Sequence, residues 1–165
     1  MSAGLDAFEP AVRALADALR RRGLLIATAE SCTGGLIAAA CTAVSGSSDW
    51  FERGFVTYSN AAKTELLGVP EGLLASHGAV SEPVVRAMAE GALAHSPAAL
   101  AVSVTGIAGP TGATPGKPVG LVWFGLARRG GATRSLRREF QGDRSAVRAQ
   151  AVEQALALLL AEAAA

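Results

Sequence analysis

Between residues 8 and 22 the apolar positions recur with a helical period. Val12, Leu15, Ala16 and Leu19 share one face, and Arg20, Arg21 and Arg22 close the segment before Gly23. That spacing predicts an amphipathic helix stopped by the glycine, with the basic triplet solvated at the negative end of the helix dipole. The pattern then changes. Leu24, Leu25 and Ile26 open a short continuous apolar run, which predicts a strand over 24–29. An Ala-rich apolar stretch predicts a helix over 33–44, and the serines and glycine at 45–48 predict a loop. A second strand is expected over 54–58, then short helices over 61–67 and 71–76, divided by Gly68 and Pro70. Ser81, Glu82 and Pro83 form a cap-plus-proline start for a helix over 84–94. A third strand, 100–105, runs into a loop rich in glycine and proline at 106–116. Segments 119–127 and 133–140 read as strands flanking a hairpin signal at Arg128, Arg129, Gly130 and Gly131. Asp143 is placed to cap a last helix that ends near residue 160. Strands interleaved with helices, followed by one late hairpin, predict an α/β fold: a three-layer α/β/α sandwich around a mixed β-sheet, in a single domain over 1–165.

Composition narrows the classes. Half of the 165 residues are hydrophobic and 18% are charged, so the chain can bury a core and is not disordered. A net charge of +1 gives no general case for nucleic acid. No apolar run reaches the ~18–20 residues of a membrane span. The first seven residues carry Asp6 and no basic-then-apolar leader pattern, and Cys32 and Cys41 lack metal-site or CxxC spacing. These features predict a cytoplasmic protein with neither membrane nor nucleic acid as partner.

The candidate chemistry centres on residues 28–35, where Thr28 to Gly35 join the first strand to the next helix and place Ser31 in a glycine-rich turn. Paired glycines allow close approach of backbone to a ligand, and a helix start offers free N–H groups to developing negative charge. Ser31 or Thr33 could equally be an ordinary helix cap. A Ser-His-Asp arrangement is poorly supplied, since the chain has only His77 and His95. His95 falls at a predicted helix C-terminus, a structural setting, and His77 lies in a loop. Neither has a partner at zinc-site spacing. Lysine usage says more. Of 15 basic residues only Lys63 and Lys117 are lysine, and Lys63 falls in the first turn of a predicted helix with Asn60 as its cap. A cation there opposes the helix dipole, which lowers the lysine pKa and suits a general base; snorkelling to water is the alternative. Lys117 lies in a Gly/Pro loop, where exposure is the default.

Several ordered motifs carry a resemblance. They are Ala29-Glu30-Ser31-Cys32-Thr33-Gly34-Gly35, Gly46-Ser47-Ser48, the run from Trp50 to Asn60 with Lys63, and the run from His77 to Glu82. Val104 to Pro110, Lys117-Pro118-Val119-Gly120 and Gly142-Asp143-Arg144 extend it over most of the chain. Together they resemble the CinA C-terminal domain family in its stand-alone amidohydrolase form. That resemblance implies hydrolysis of the amide of nicotinamide mononucleotide (NMN) to nicotinic acid mononucleotide and ammonia, in pyridine nucleotide recycling. It implies a Ser/Lys mechanism without metal or cofactor, with NMN as small-molecule partner and a homo-oligomer, a dimer, as the assembly. Ser31 would be the nucleophile and Lys63 its base, with Tyr58 and Ser48 in the same pocket. Ser48 and, less strongly, Cys32 stay open as rival nucleophiles. Substrate contacts would come from Glu30, Thr33, Gly34, Gly35, Thr105 and Gly106, and Arg144 would meet the phosphate. The loop Gly109-Pro110-Thr111-Gly112-Ala113 departs from the family pattern of an acidic residue followed by paired glycines, which bears on substrate preference. Two other classes remain: a catalytically silent nucleotide-binding module, and an interaction domain in competence or DNA recombination.

Overall fold

The computed structural model describes residues 3–165. A short helix α1 (Ala3–Asp6) precedes α2 (Glu9–Arg22), which Gly23 ends in the left-handed conformation at φ 63°. Then come β1 (Ile26–Glu30), α3 (Leu36–Thr42), a 3-10 turn at Ser47–Asp49 and β2 (Phe51–Val56). Helices α4 (Asn60–Leu67), α5 (Glu71–His77) and α6 (Glu82–Ala94) lead to β3 (Leu100–Gly106). The hairpin β4 (Leu121–Arg128) and β5 (Arg134–Glu139) is followed by α7 (Arg144–Ala164).

The five strands form one sheet in the order β2-β1-β3-β4-β5. β1 is parallel to both β2 and β3, while β4 and β5 are added antiparallel. The sheet is therefore mixed, and helices cover both faces. Alternation along the buried strands splits the core in two. Ile26, Leu100, Val102 and Val104 meet α2, α3 and α7, while Ala27, Ala29 and Ala101 meet α4, α5 and α6. The second face is lined with small residues, so α6 lies close to the sheet. A Cβ on Gly125 would come 2.6 Å from the Val85 carbonyl oxygen.

Several boundaries differ from the sequence reading, and α7 runs on to Ala164, past the expected end near 160. The helix expected from residue 33 begins at Leu36, because Thr33, Gly34 and Gly35 form a turn with φ of 58° and 101° at the two glycines. β2 starts at Phe51, three residues before the expected 54, since its register with β1 begins at Ile26 opposite Phe51. Helix α4 is capped by Ser59 and not Asn60: Ser59 Oγ accepts from the Ala62 N–H at 3.0 Å.

This topology fixes where a ligand can sit. β1 lies between β2, which follows it, and β3, so the strand order reverses at β1. In open α/β sheets the crevice outside the carboxyl ends of the strands at such a reversal is the usual binding place. Buried polar side chains gather there. Glu30, Ser31, Thr33, Thr57 and Thr105 lie at or just past the carboxyl ends of β1, β2 and β3, and Lys63 reaches the same point from α4.

Candidate active site

A cleft of about 310 Å³ opens at that reversal. Ser31, Cys32, Tyr58, Lys63, Thr105, Gly106 and Arg144 line it, completed by Ala79 and Val80 on one side and by the loop from Ile107 to Gly112 on the other. Ser31 is the first residue past β1, anchored by its N–H to the Val104 carbonyl of β3 at 3.0 Å. Lys63 comes from the first turn of α4 and is 1% exposed. Its Nζ lies 3.1 Å from Ser31 Oγ, 2.9 Å from the Thr57 carbonyl oxygen and 3.1 Å from the Tyr58 carbonyl oxygen.

That set of three contacts defines what Lys63 can do. Among the described residues no carboxylate pairs with it. Burial removes water from the ammonium and lowers its pKa below the ordinary lysine value, with Cys32 acting weakly the other way. As a neutral amine Lys63 has two N–H bonds and one lone pair. The two carbonyl oxygens can only accept, so they take the two hydrogens and leave the lone pair to the Ser31 hydroxyl.

The rest of the cleft is graded from floor to mouth. Thr105 Oγ1 donates to the Ala79 carbonyl oxygen at 3.0 Å, which ties β3 to the segment walling one side. At Gly106 a Cβ would lie 2.7 Å from Val122 Cγ2, so packing against β4 requires glycine. Arg144 is the first residue of α7, after Asp143, whose carboxylate accepts from the Ala146 N–H. Its guanidinium donates to the Gly109 carbonyl oxygen at 2.9 Å and meets the Tyr58 hydroxyl at 3.3 Å. Tyr58 is 61% exposed, so its ring stands at the mouth while its carbonyl oxygen holds Lys63. The lining contains two basic side chains, Lys63 and Arg144, and no carboxylate.

Four residues expected to touch substrate do not line the cleft: Glu30, Thr33, Gly34 and Gly35. Glu30 is 1% exposed, and its carboxylate accepts from Thr33 Oγ1 at 2.6 Å, from the Ile37 N–H at 2.9 Å and from the Ala38 N–H at 3.0 Å. The free N–H groups at the start of α3 are therefore satisfied by the protein's own carboxylate and are not aimed at a ligand. Gly34 and Gly35 are required by their positive φ. Ser48 is also elsewhere. It is exposed on the 3-10 turn before β2, at the amino end of the parallel strands, whereas Ser31 follows the carboxyl end of β1. The five residues of β1 separate those ends by roughly 16 Å at ~3.3 Å per residue. Cys32 lines the cleft, but burial pushes its thiol up to about 12, against the lowering expected at a helix start.

His77 and Lys117 belong to a neighbouring cleft, where Lys117 Nζ donates to the His77 carbonyl oxygen at 2.5 Å. His95 caps the end of α6, its Nδ1 2.8 Å from the Gly91 carbonyl oxygen. No group of three or more His, Cys, Asp or Glu side chains among the described residues is arranged to hold a metal ion, and no described helix is long and apolar enough to cross a membrane. Sequence reasoning missed the apolar walls, Ala79, Val80, Ile107 and Ala108, which carry no chemical signal of their own.

Comparison with known proteins agrees with this architecture. The chain is 57% identical over 145 residues to a protein named nicotinamide-nucleotide amidohydrolase PncC from Enterobacter agglomerans, covering 88% of each chain. It is also 57% identical over 142 residues to the protein of that name from Escherichia coli strain K12, covering 86% of each. The crystal structure of a competence/damage inducible protein from Agrobacterium tumefaciens superposes with a TM-score of 0.90 at 45% identity, covering 93% of this chain and 94% of that one. Residues 9–163 match the CinA C-terminal domain, so the chain belongs to the CinA C-terminal domain family.

Proposed function

We propose that this protein hydrolyses the amide of NMN to nicotinic acid mononucleotide and ammonia, as a Ser31/Lys63 amidohydrolase of pyridine nucleotide recycling. The observation that carries the reading is the 3.1 Å contact between Lys63 Nζ and Ser31 Oγ, with both remaining amine hydrogens committed to carbonyl oxygens. A buried cation without an anionic partner costs several kcal/mol, so a structural role explains it poorly and a lowered-pKa base explains it well. The names of the relatives at 57% identity point to the same substrate.

In this reading neutral Lys63 removes the Ser31 proton as Oγ attacks the amide carbon. The tetrahedral oxyanion forms beside the Cys32 N–H, the backbone donor that follows the nucleophile in the chain. The Lys63 ammonium then protonates the amide nitrogen, the C–N bond breaks with loss of ammonia, and an ester is left on Ser31. Water, deprotonated by the regenerated amine, hydrolyses that ester and frees the carboxylic acid. Arg144 at the mouth holds the phosphate, where its charge meets no competing carboxylate in the cleft. Cys32 and Cys41 are both unpaired, which fits the reducing cytoplasm. The net charge of +1 favours a small-molecule substrate over nucleic acid. A homodimer completes the reading, and sedimentation of the purified protein tests it separately.

The test of the activity is ammonia release from NMN, with nicotinamide and glutamine as controls. Release from NMN alone supports the reading. Tight NMN binding without ammonia would make this a silent nucleotide-binding module instead.

A further inference from the structure

We propose that Arg148, which does not itself line the cleft, is the positioning residue that sets the Ser31 turn for reaction; this rests on Ser31 being the nucleophile. Arg148 follows Arg144 by four residues on α7 and so lies on the same helix face, one turn further in. Among the described residues it pairs with no carboxylate. Its donors go to two consecutive backbone carbonyls instead: Nε to Cys32 at 3.2 Å and a terminal nitrogen to Thr33 at 3.1 Å.

The second of these contacts reaches Ser31 through a rigid unit. The Thr33 carbonyl and the Gly34 N–H belong to one planar trans peptide and point in opposite directions. The Gly34 N–H donates to the Ser31 carbonyl oxygen at 3.0 Å. Arg148 therefore grips one end of a plate whose other end holds Ser31. Rotation of that peptide would break both bonds together. The Cys32 carbonyl, held by the same guanidinium, fixes the next plane back. On the opposite side Glu30 holds Thr33 Oγ1 and the first free N–H groups of α3. The turn carrying the nucleophile is clamped by a guanidinium on its carbonyls and a carboxylate on its donors. A planar fork with several fixed donors suits two adjacent carbonyls in a way a single ammonium cannot.

The test is steady-state kinetics of Arg148→Met and Arg148→Lys on NMN, with Ser31→Ala and melting temperatures in parallel. In Arg148→Met kcat should fall on the order of 10²-fold, as for a displaced reacting group, while KM stays within about threefold. Millimolar guanidine should restore part of the turnover of Arg148→Ala and leave wild type unchanged, which a general loss of folded protein would not allow. Near-normal kcat in Arg148→Met, or a raised KM at unchanged kcat, overturns the inference. If Arg148→Met does not fold, Arg148→Lys decides, because an ammonium there should keep the fold and still lose turnover. Ser31→Ala that stays active would overturn the site reading itself. Ser31→Ala that is inactive beside a fully active Arg148→Met would overturn only the role of Arg148.

Discussion

The two lysines of this chain occupy opposite environments. Lys63 is 1% exposed, faces a serine hydroxyl and two carbonyls, and has its pKa lowered by burial. Lys117 sits in an exposed loop, where its ammonium latches to the His77 carbonyl oxygen. One side chain type thus serves as a tether in one place and, in the proposed mechanism, as a proton acceptor in the other. Solvent access makes the difference: a carbonyl partner is common to both, and only Lys63 is stripped of water. The cost of that desolvation is what the proposed role of Lys63 as a base accounts for.

The contrast breaks first at Lys63. Lys63→Arg keeps a cation but removes any deprotonation near neutral pH, so kcat should fall by the ~10²–10⁴-fold typical of a lost base, as far as in Lys63→Met. Retention of a large part of wild-type kcat by Lys63→Arg would make the residue an electrostatic element. Arg144→Ala comes next. It should raise KM for NMN by about tenfold or more, as expected for a lost charge-assisted contact, and change activity on the riboside lacking phosphate far less. Equal damage to both substrates would remove Arg144 from the phosphate.

Stability sharpens the same contrast. Because the folded pKa of Lys63 lies below its unfolded value of ~10.4, the unfolded chain binds more protons between the two. The penalty is full below the lowered pKa and disappears as pH rises towards ~10.4. Lys63→Met should therefore melt above wild type near neutral pH, and the gap should narrow as pH increases through that window. A gap independent of pH would mean that Lys63 is not buried as a strained cation. The smallest effect is expected at Lys117. Lys117→Arg preserves a cationic donor on an exposed loop and should leave kcat within about twofold, as for surface changes generally.

Much of the fold was legible because its signals are local. Gly23, Ser81 with Pro83, and Asp143 each mark a helix end or start, and the interleaving of strands and helices gave the layers. Lys63 stood out through its rarity and its place in a first helical turn. What was not legible depends on contacts across the chain. Nothing in Thr33-Gly34-Gly35 shows that Glu30 turns back onto the start of α3, so the helix seemed to begin early and its N–H groups to be free. Ser48 lies beside the β2 motif in sequence, but it precedes the strand and so falls at the far end of the sheet. Arg148 resembles any solvated helix arginine until its two carbonyl partners, more than 100 positions away in the chain, are known.

The central claim is that Lys63 acts on Ser31 as a neutral amine, and the pH dependence of kcat/KM for NMN tests it most directly. Wild type should show a rising limb with an apparent pKa well below the ~10.4 of free lysine, because burial favours the uncharged form. The residual activity of Lys63→Met should be flat over that range. A rising limb that persists unchanged in Lys63→Met would assign the titration to another group and contradict the account.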